Sequence, residues 1–156
     1  MDTDTVTKPS VAVAIPAYNE AEGIAEFLRE IDQALESHVD ELRLVVVDDA
    51  STDETAPVLE QLRSELHASL DVLSNVRNLG HGPTLMTAYH HALEEEPDYV
   101  LQVDGDGQFQ GSDLRRMLVL LTDEAHAVSG VRRADRLLPY HRIVHFRNPP
   151  LIPPRL

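Results

Sequence analysis

From Val11 to Val131 the chain alternates short, predominantly apolar runs with longer stretches whose apolar residues recur every three or four positions. The first run, VAVAIP (Val11 to Pro16), ends on a proline, as a buried strand does. In the segment that follows, Ile24, Phe27, Leu28, Ile31 and Leu35 fall at helical spacing, which predicts an amphipathic helix with Asn19 as its N-cap and Glu20 and Glu22 at the positive end of its dipole. LRLVVV (Leu42 to Val47) predicts the second strand, and the turn Asp48 to Asp53 leads into a helix from about Glu54 to His67. A third strand is expected at Leu70 to Leu73, and a third helix from the loop Asn75 to Gly82 as far as Glu95. Tyr99 to Val103, Ser112 to Leu121 and Ala125 to Val131 predict a strand, a helix and a fifth strand.

This alternation predicts an α/β fold with a mostly parallel sheet covered by helices on both faces. Ligands of such sheets bind beyond the carboxyl ends of the strands. Here those ends carry Asn19-Glu20, Asp48-Asp49 and Asp104/Asp106, which places one acidic site on one edge of the sheet. The expected organisation is a disordered lead over 1–9, a ligand-binding domain over 10–131, and a basic, then proline-rich, segment over 132–156. The ending NPPLIPPRL excludes a helix or a central strand and predicts extended or disordered chain.

Composition narrows the picture. At 156 residues the chain suits one domain, and with 4% aromatic residues its core must be aliphatic. A formal net charge of −14 argues against nucleic-acid binding. A phosphorylated ligand then needs local help from helix N-termini, a few arginines or a divalent cation. The lack of cysteine excludes disulfides and zinc–thiolate sites. The polar N-terminus and the absence of a ~20-residue apolar run lead to the expectation of a cytoplasmic chain without a membrane span. An incomplete sheet edge makes self-association a candidate property.

Asp104-Gly105-Asp106 carries the sharpest chemical signal. Two carboxylates one residue apart at a strand end can share a cation, and the hard oxygen donors, with Gln108 as a neutral third, point to Mg²⁺ or Mn²⁺. The same residues also make an ordinary acidic turn. Asp48 and Asp49 can accept hydrogen bonds from a nucleobase or ribose, or be turn residues before a capped helix. Gly80 and Gly82 open a helix whose N-terminus suits a phosphate, with Arg77 upstream, although a plain helix entry has the same pattern. The arginine-rich stretch Arg132, Arg133, Arg136, Arg142 and Arg147 can neutralise a diphosphate or a lipid phosphate, or rest on an anionic membrane surface; a solvated basic tail fits equally.

Taken in order, IPAYNE, VVVDDAST, NLGHG and QVDGDGQF resemble the family-two glycosyltransferases of GT-A fold. Among these they are most similar to dolichyl- or polyprenyl-phosphate mannose or glucose synthases. The resemblance covers residues 10 to 147 and implies a Rossmann-like sheet. It also implies roles for single residues. Pro16, Ala17, Tyr18 and Glu20 would line the nucleotide pocket, with Glu20 near the ribose. Asp49, with Asp48, would contact the base. Asp104 and Asp106 would be the metal-binding DxD element with Gln108 following, and Arg132, in Gly130-Val131-Arg132, would match the family's G-x-R. The implied activity is metal-dependent, inverting transfer of a hexose from a GDP- or UDP-sugar to a polyprenyl phosphate. Where the family continues with a D-x-x-x-G-F-K stretch this sequence reads NPPLIPPRL, so residues 132–156 are expected to form an incomplete acceptor region. The alternative is a nucleotide-sugar-binding unit without transferase activity.

Overall fold

A computed structural model of the chain describes residues 8–106 and 110–120 in full, and residues 127–131 and 142–147 as backbone strands. Strand β1 (Ser10–Ala17) is followed by helix α1 (Ile24–Leu35), a single 3₁₀ turn, strand β2 (Glu41–Asp48) and helix α2 (Thr55–Leu62). Then come strand β3 (Ser69–Ser74), helix α3 (His81–Leu93), strand β4 (Tyr99–Gln102), helix α4 (Gly111–Leu120), strand β5 (Ala127–Val131) and strand β6 (Arg142–Arg147). They form one sheet in the order β3-β2-β1-β4-β6-β5. The first four strands run parallel, whereas β6 is antiparallel to both β4 and β5.

The apolar strands are explained by burial on two faces. Val11, Val13, Ile15 and Ala17 of β1 join Leu44 and Val46 of β2 in a core with Ile24, Phe27, Leu28 and Ile31 of α1, Leu59 and Leu62 of α2, and Leu114 and Met117 of α4. The alternate residues Ala12, Ala14, Val45, Val47 and Val100 face α3, which answers with Ala88 and Ala92. Small residues on both sides of that second layer let the helix backbone lie close to the sheet. Each fully buried large aliphatic side chain stabilises the fold by about 1.5–3 kcal/mol.

Three differences from the sequence-based expectation have local physical causes. Helix α1 begins at Ile24 because Asn19 takes a φ of 55°, which turns the chain; Gly23 occupies the N-cap without a side-chain hydrogen bond. Helix α2 stops at Leu62 rather than near His67. Buried Asp32 of α1 accepts hydrogen bonds from the backbone N–H groups of His67 and Ala68, both at 2.9 Å, and leads that segment into β3. The third difference is β6: the hydrophobic pattern dissolves after Val131, yet Arg142–Arg147 forms a strand between β4 and β5. The proline-rich end expected to be extended or disordered, and the lead over 1–7, lie outside the described residues.

The start of α4 crosses α1 at close range. A Cβ on Gly111 would meet Ala34 Cβ and the Glu30 carbonyl oxygen, each at 2.7 Å, and Glu30 Oε1 accepts from the Gly111 N–H at 2.8 Å. Gly111→Ala should therefore cost about 1–3 kcal/mol through overpacking, read as a lower midpoint in urea unfolding. Gly23→Ala, with open space around it, should stay within about 0.5 kcal/mol of wild type.

Candidate active site

The order β3-β2-β1-β4 places a topological switch point between β1 and β4, at whose carboxyl ends ligands of such sheets bind. A cavity of about 340 Å³ opens there. The end of β1 supplies Pro16, Ala17, Tyr18 and Glu20, and the end of β2 supplies Asp49. Asn78, Gly80, His81 and Thr84 come from the loop into α3, and Asp104, Gly105 and Asp106 from the end of β4. Gly105 allows the close approach of the two strand ends, since a Cβ there would lie 3.1 Å from the Pro16 carbonyl oxygen.

Hydrogen bonds hold the walls. Asn19 N–H donates to Ser51 Oγ at 2.9 Å, and Asn19 Oδ1 accepts from Thr52 N–H at 2.8 Å. Glu20 N–H donates to Thr55 Oγ1 at 2.9 Å and Ala21 N–H to Asp53 Oδ2 at 3.1 Å. Asp53 is held below the usual carboxylate range, first by the Thr55 hydroxyl. Asp48 is buried and accepts from the Ser51 hydroxyl and backbone N–H, so it ties its own turn together.

Asp49 clamps the opposite wall. Only 3% exposed, it accepts at Oδ1 from Asn75 Nδ2 (2.7 Å) and Leu79 N–H (2.8 Å), and at Oδ2 from Gly80 N–H (2.8 Å). Burial alone would raise its pKa, but the donors from Leu79, Asn75, Thr84 and Gly80 together outweigh burial and lower it. Gly80 can accept this geometry because its φ is 87°.

The cavity floor concentrates negative charge. Glu20 is pushed above the usual carboxylate range by burial, then by the charges of Asp106 and Asp53. Tyr89, whose hydroxyl donates to Gln102 Oε1 at 3.2 Å, is pushed up to about 12 by burial and by Asp104. His81 Nε2 lies 3.7 Å from Asp104 Oδ1. Among the described residues no three His, Cys, Asp or Glu side chains form a ready-made metal cage. Crowded hard oxygen donors with no lysine or arginine in the lining nevertheless fit a divalent cation that takes its remaining ligands from phosphate and water, the habit of Mg²⁺ sites.

Of the residues singled out from sequence, Pro16, Ala17, Tyr18, Glu20, Asp49, Gly80, Asp104, Gly105 and Asp106 line this cavity. Asp48 lies buried behind it, while Arg77 and Gly82 are exposed residues of the loop and of the first turn of α3. Gln108 and Arg132 lie outside the described residues. Asn78, His81 and Thr84 join the lining without having been assigned a role. The first two belong to the NLGHG motif, whereas Thr84 reads in sequence as an ordinary helix residue.

A Rossmann-like α/β sheet with an acidic cavity at its switch point defines a nucleotide-binding class of fold. The profile of "Glycosyl transferase family 2" matches residues 12–152, and the chain belongs to that family. It is 30% identical over 134 residues to an undecaprenyl-phosphate 4-deoxy-4-formamido-L-arabinose transferase of Edwardsiella ictaluri, a match covering 86% of this chain and 40% of the relative. The mannosyltransferase PcManGT of Pyrobaculum calidifontis, solved with GDP-Man and Mn²⁺, superposes with a TM-score of 0.66 at 30% identity, covering 82% of this chain and 37% of that one. Residues 1–349 of S. aureus TarS, solved with UDP, superpose with a TM-score of 0.63 at 29% identity, covering 83% of this chain and 38% of that one. The chain thus spans about two fifths of these relatives. No helix among the described residues is long and apolar enough to cross a membrane.

Two stability measurements check the electrostatics. Asp49→Asn removes an ionised acceptor from buried N–H donors and should cost about 1.5–3 kcal/mol at pH 7. Because the folded pKa of Asp49 is lowered, its contribution is present above the unfolded value of about 3.9 and is lost as pH falls through the folded one. The gap between wild type and variant in urea unfolding should therefore close only in acid below about pH 4. Glu20 has the opposite sign: its raised pKa makes its ionised form a burden once pH exceeds the unfolded value. Glu20→Gln should melt higher than wild type at pH 7 in metal-free buffer, with the difference vanishing below about pH 4.

Proposed function

We propose that the chain transfers a hexose from a nucleoside-diphosphate sugar to a polyprenyl phosphate, with inversion, using a divalent cation held by Asp104 and Asp106. The observation that carries this reading is the cavity between β1 and β4, where Asp104 and Asp106 face the Pro16–Glu20 segment and the clamped loop into α3. Relatives of this chain support it by what they handle: a GDP-sugar with Mn²⁺ in one case, UDP in another, and an undecaprenyl-phosphate sugar transfer in a third.

In this reading Pro16, Ala17 and Tyr18 give the nucleotide a largely apolar wall, and Glu20 accepts from the ribose hydroxyls. Asp49 meets the base edge through the lone pairs left after its loop contacts, since a carboxylate has about four acceptor sites. Asp48 acts from behind as the support of that turn. Gly80 and Gly82 bring free backbone N–H groups toward the phosphates at the start of α3, with Arg77 as a nearby cation. Gln108 adds a neutral oxygen to the cation, and Arg132 pairs with a phosphate.

Asp104 and Asp106 would hold Mg²⁺ or Mn²⁺, which would supply Lewis-acid stabilisation of the leaving group's charge. The acceptor fits the residues present. A phosphate monoester is already anionic near neutral pH, so its oxygen attacks the anomeric carbon with little need of a general base, as the bond to the nucleoside diphosphate breaks. The basic segment over 132–147 suits the lipid phosphate and brings the chain to an anionic membrane surface.

Calorimetric titration of GDP and of UDP, with Mn²⁺ and then with EDTA, tests the reading. One nucleotide should bind in a metal-dependent manner, and Asp106→Asn should lose that dependence together with transfer to polyprenyl phosphate. Metal-dependent binding without transfer would leave a nucleotide-sugar-binding unit. Near-normal turnover of Asp106→Asn would sink the metal assignment.

A further inference from the structure

Asn78, His81 and Thr84 line the cavity without a task in the reading above, and of these His81 has the strongest metal-binding chemistry. His81 is the first residue of α3, and its place is set from behind. Asp49 holds the N–H of Gly80 at 2.8 Å, and the Gly80 carbonyl oxygen accepts from Thr84 N–H at 3.2 Å, so the residue before His81 is gripped on both sides. The imidazole lines the cavity and remains 59% exposed. Its Nε2 stands 3.7 Å from Asp104 Oδ1, a separation too long for a hydrogen bond. Two ligands of one cation, each at about 2.1 Å from it, stand roughly 3 Å apart when adjacent and roughly 4.2 Å apart when opposite. The observed gap lies between these values, so the exposed imidazole need move only roughly 0.7 Å to sit adjacent to Asp104 on one cation.

We propose that His81 enters the coordination shell of the cation beside Asp104 and makes this site prefer Mn²⁺ to Mg²⁺; the proposal rests on the assignment of a divalent cation to Asp104 and Asp106. The chemistry follows from the donor types. Mg²⁺ is held by oxygen ligands and keeps its waters, whereas an imidazole nitrogen favours transition ions. Among the described residues lining the cavity, His81 carries the only imidazole; the other side-chain donors suited to a cation are oxygens. Among the described residues no three-residue cage stands ready, so nucleotide phosphate and water would complete the shell. Exposure of the imidazole leaves it free to make that small adjustment.

The test uses the full chain with Mn²⁺ and the nucleotide it binds, comparing wild type, His81→Ala and His81→Gln by pulsed electron paramagnetic resonance. Wild type should show nitrogen modulation from an imidazole bound to Mn²⁺, and both variants should lack it. Mn²⁺ affinity should fall roughly tenfold or more in the variants while Mg²⁺ affinity changes far less. The melting temperature without metal or nucleotide should hold, because the side chain is 59% exposed. Bound Mn²⁺ without nitrogen modulation in wild type, or equal losses of Mn²⁺ and Mg²⁺ affinity in the variants, would overturn this proposal alone. If folded wild type binds no Mn²⁺ with GDP or UDP, the cation assignment falls and the proposal with it.

Discussion

The structure hangs on the enclosure of one strand. β1 is paired on both edges, with β2 and β4, and covered on both faces, by α1 on one and α3 on the other. Nothing polar can sit along such a strand except its backbone, so every side chain from Val11 to Ile15 is apolar and buried. The first residues free to carry polar chemistry are those at which the strand leaves the sheet. The same constraint holds β2 over Leu44 to Val47 and β4 over Val100 and Leu101, and the segments beyond carry Asp49 and Asp104 to the same edge. The site is thus the place where three enclosed strands regain solvent together.

What lies at that edge is a balance between held and unrelieved charge. Asp49 is ionised at little cost because backbone and side-chain N–H groups surround it, and it converts its charge into the rigidity of the loop ahead of α3. Glu20 is raised first by burial and then by the charges of Asp106 and Asp53, with no such donors to offset them. The two carboxylates show how one acidic edge divides into a part that shapes the protein and a part that awaits a positive partner. A cation or a polyol ligand relieves the second part without disturbing the first.

The parallel sheet and its helices were legible in sequence because double-sided burial leaves unmistakable runs such as VAVAIP and LRLVVV. The cavity was legible through strand ends, since three apolar runs each give way to acidic residues at the same edge of the sheet. Three features stayed hidden because they depend on contacts distant in sequence. The early stop of α2 follows from Asp32, a residue of another helix that looks like one more polar position. The clamp role of Asp49 depends on N–H groups about thirty residues away along the chain. β6 went unread because Arg142, His145 and Arg147 dilute the short apolar run between them, and the prolines after it claim attention.

The position of β6 bears on the order in which the chain can mature. The strand that separates β4 from β5 is the last of the six to be synthesised, so β4 and β5 emerge before the segment that joins them. Until Arg142–Arg147 arrives, β4 has an open row of backbone donors and acceptors along the edge that β6 will cover. Such an edge invites pairing with other chains. A nascent chain halted before residue 142 would be not merely shorter but adhesive, and its hazard would grow with the time spent there. The late antiparallel strand therefore acts as a seal on the sheet, and the speed with which it is delivered becomes part of how cleanly this protein is made.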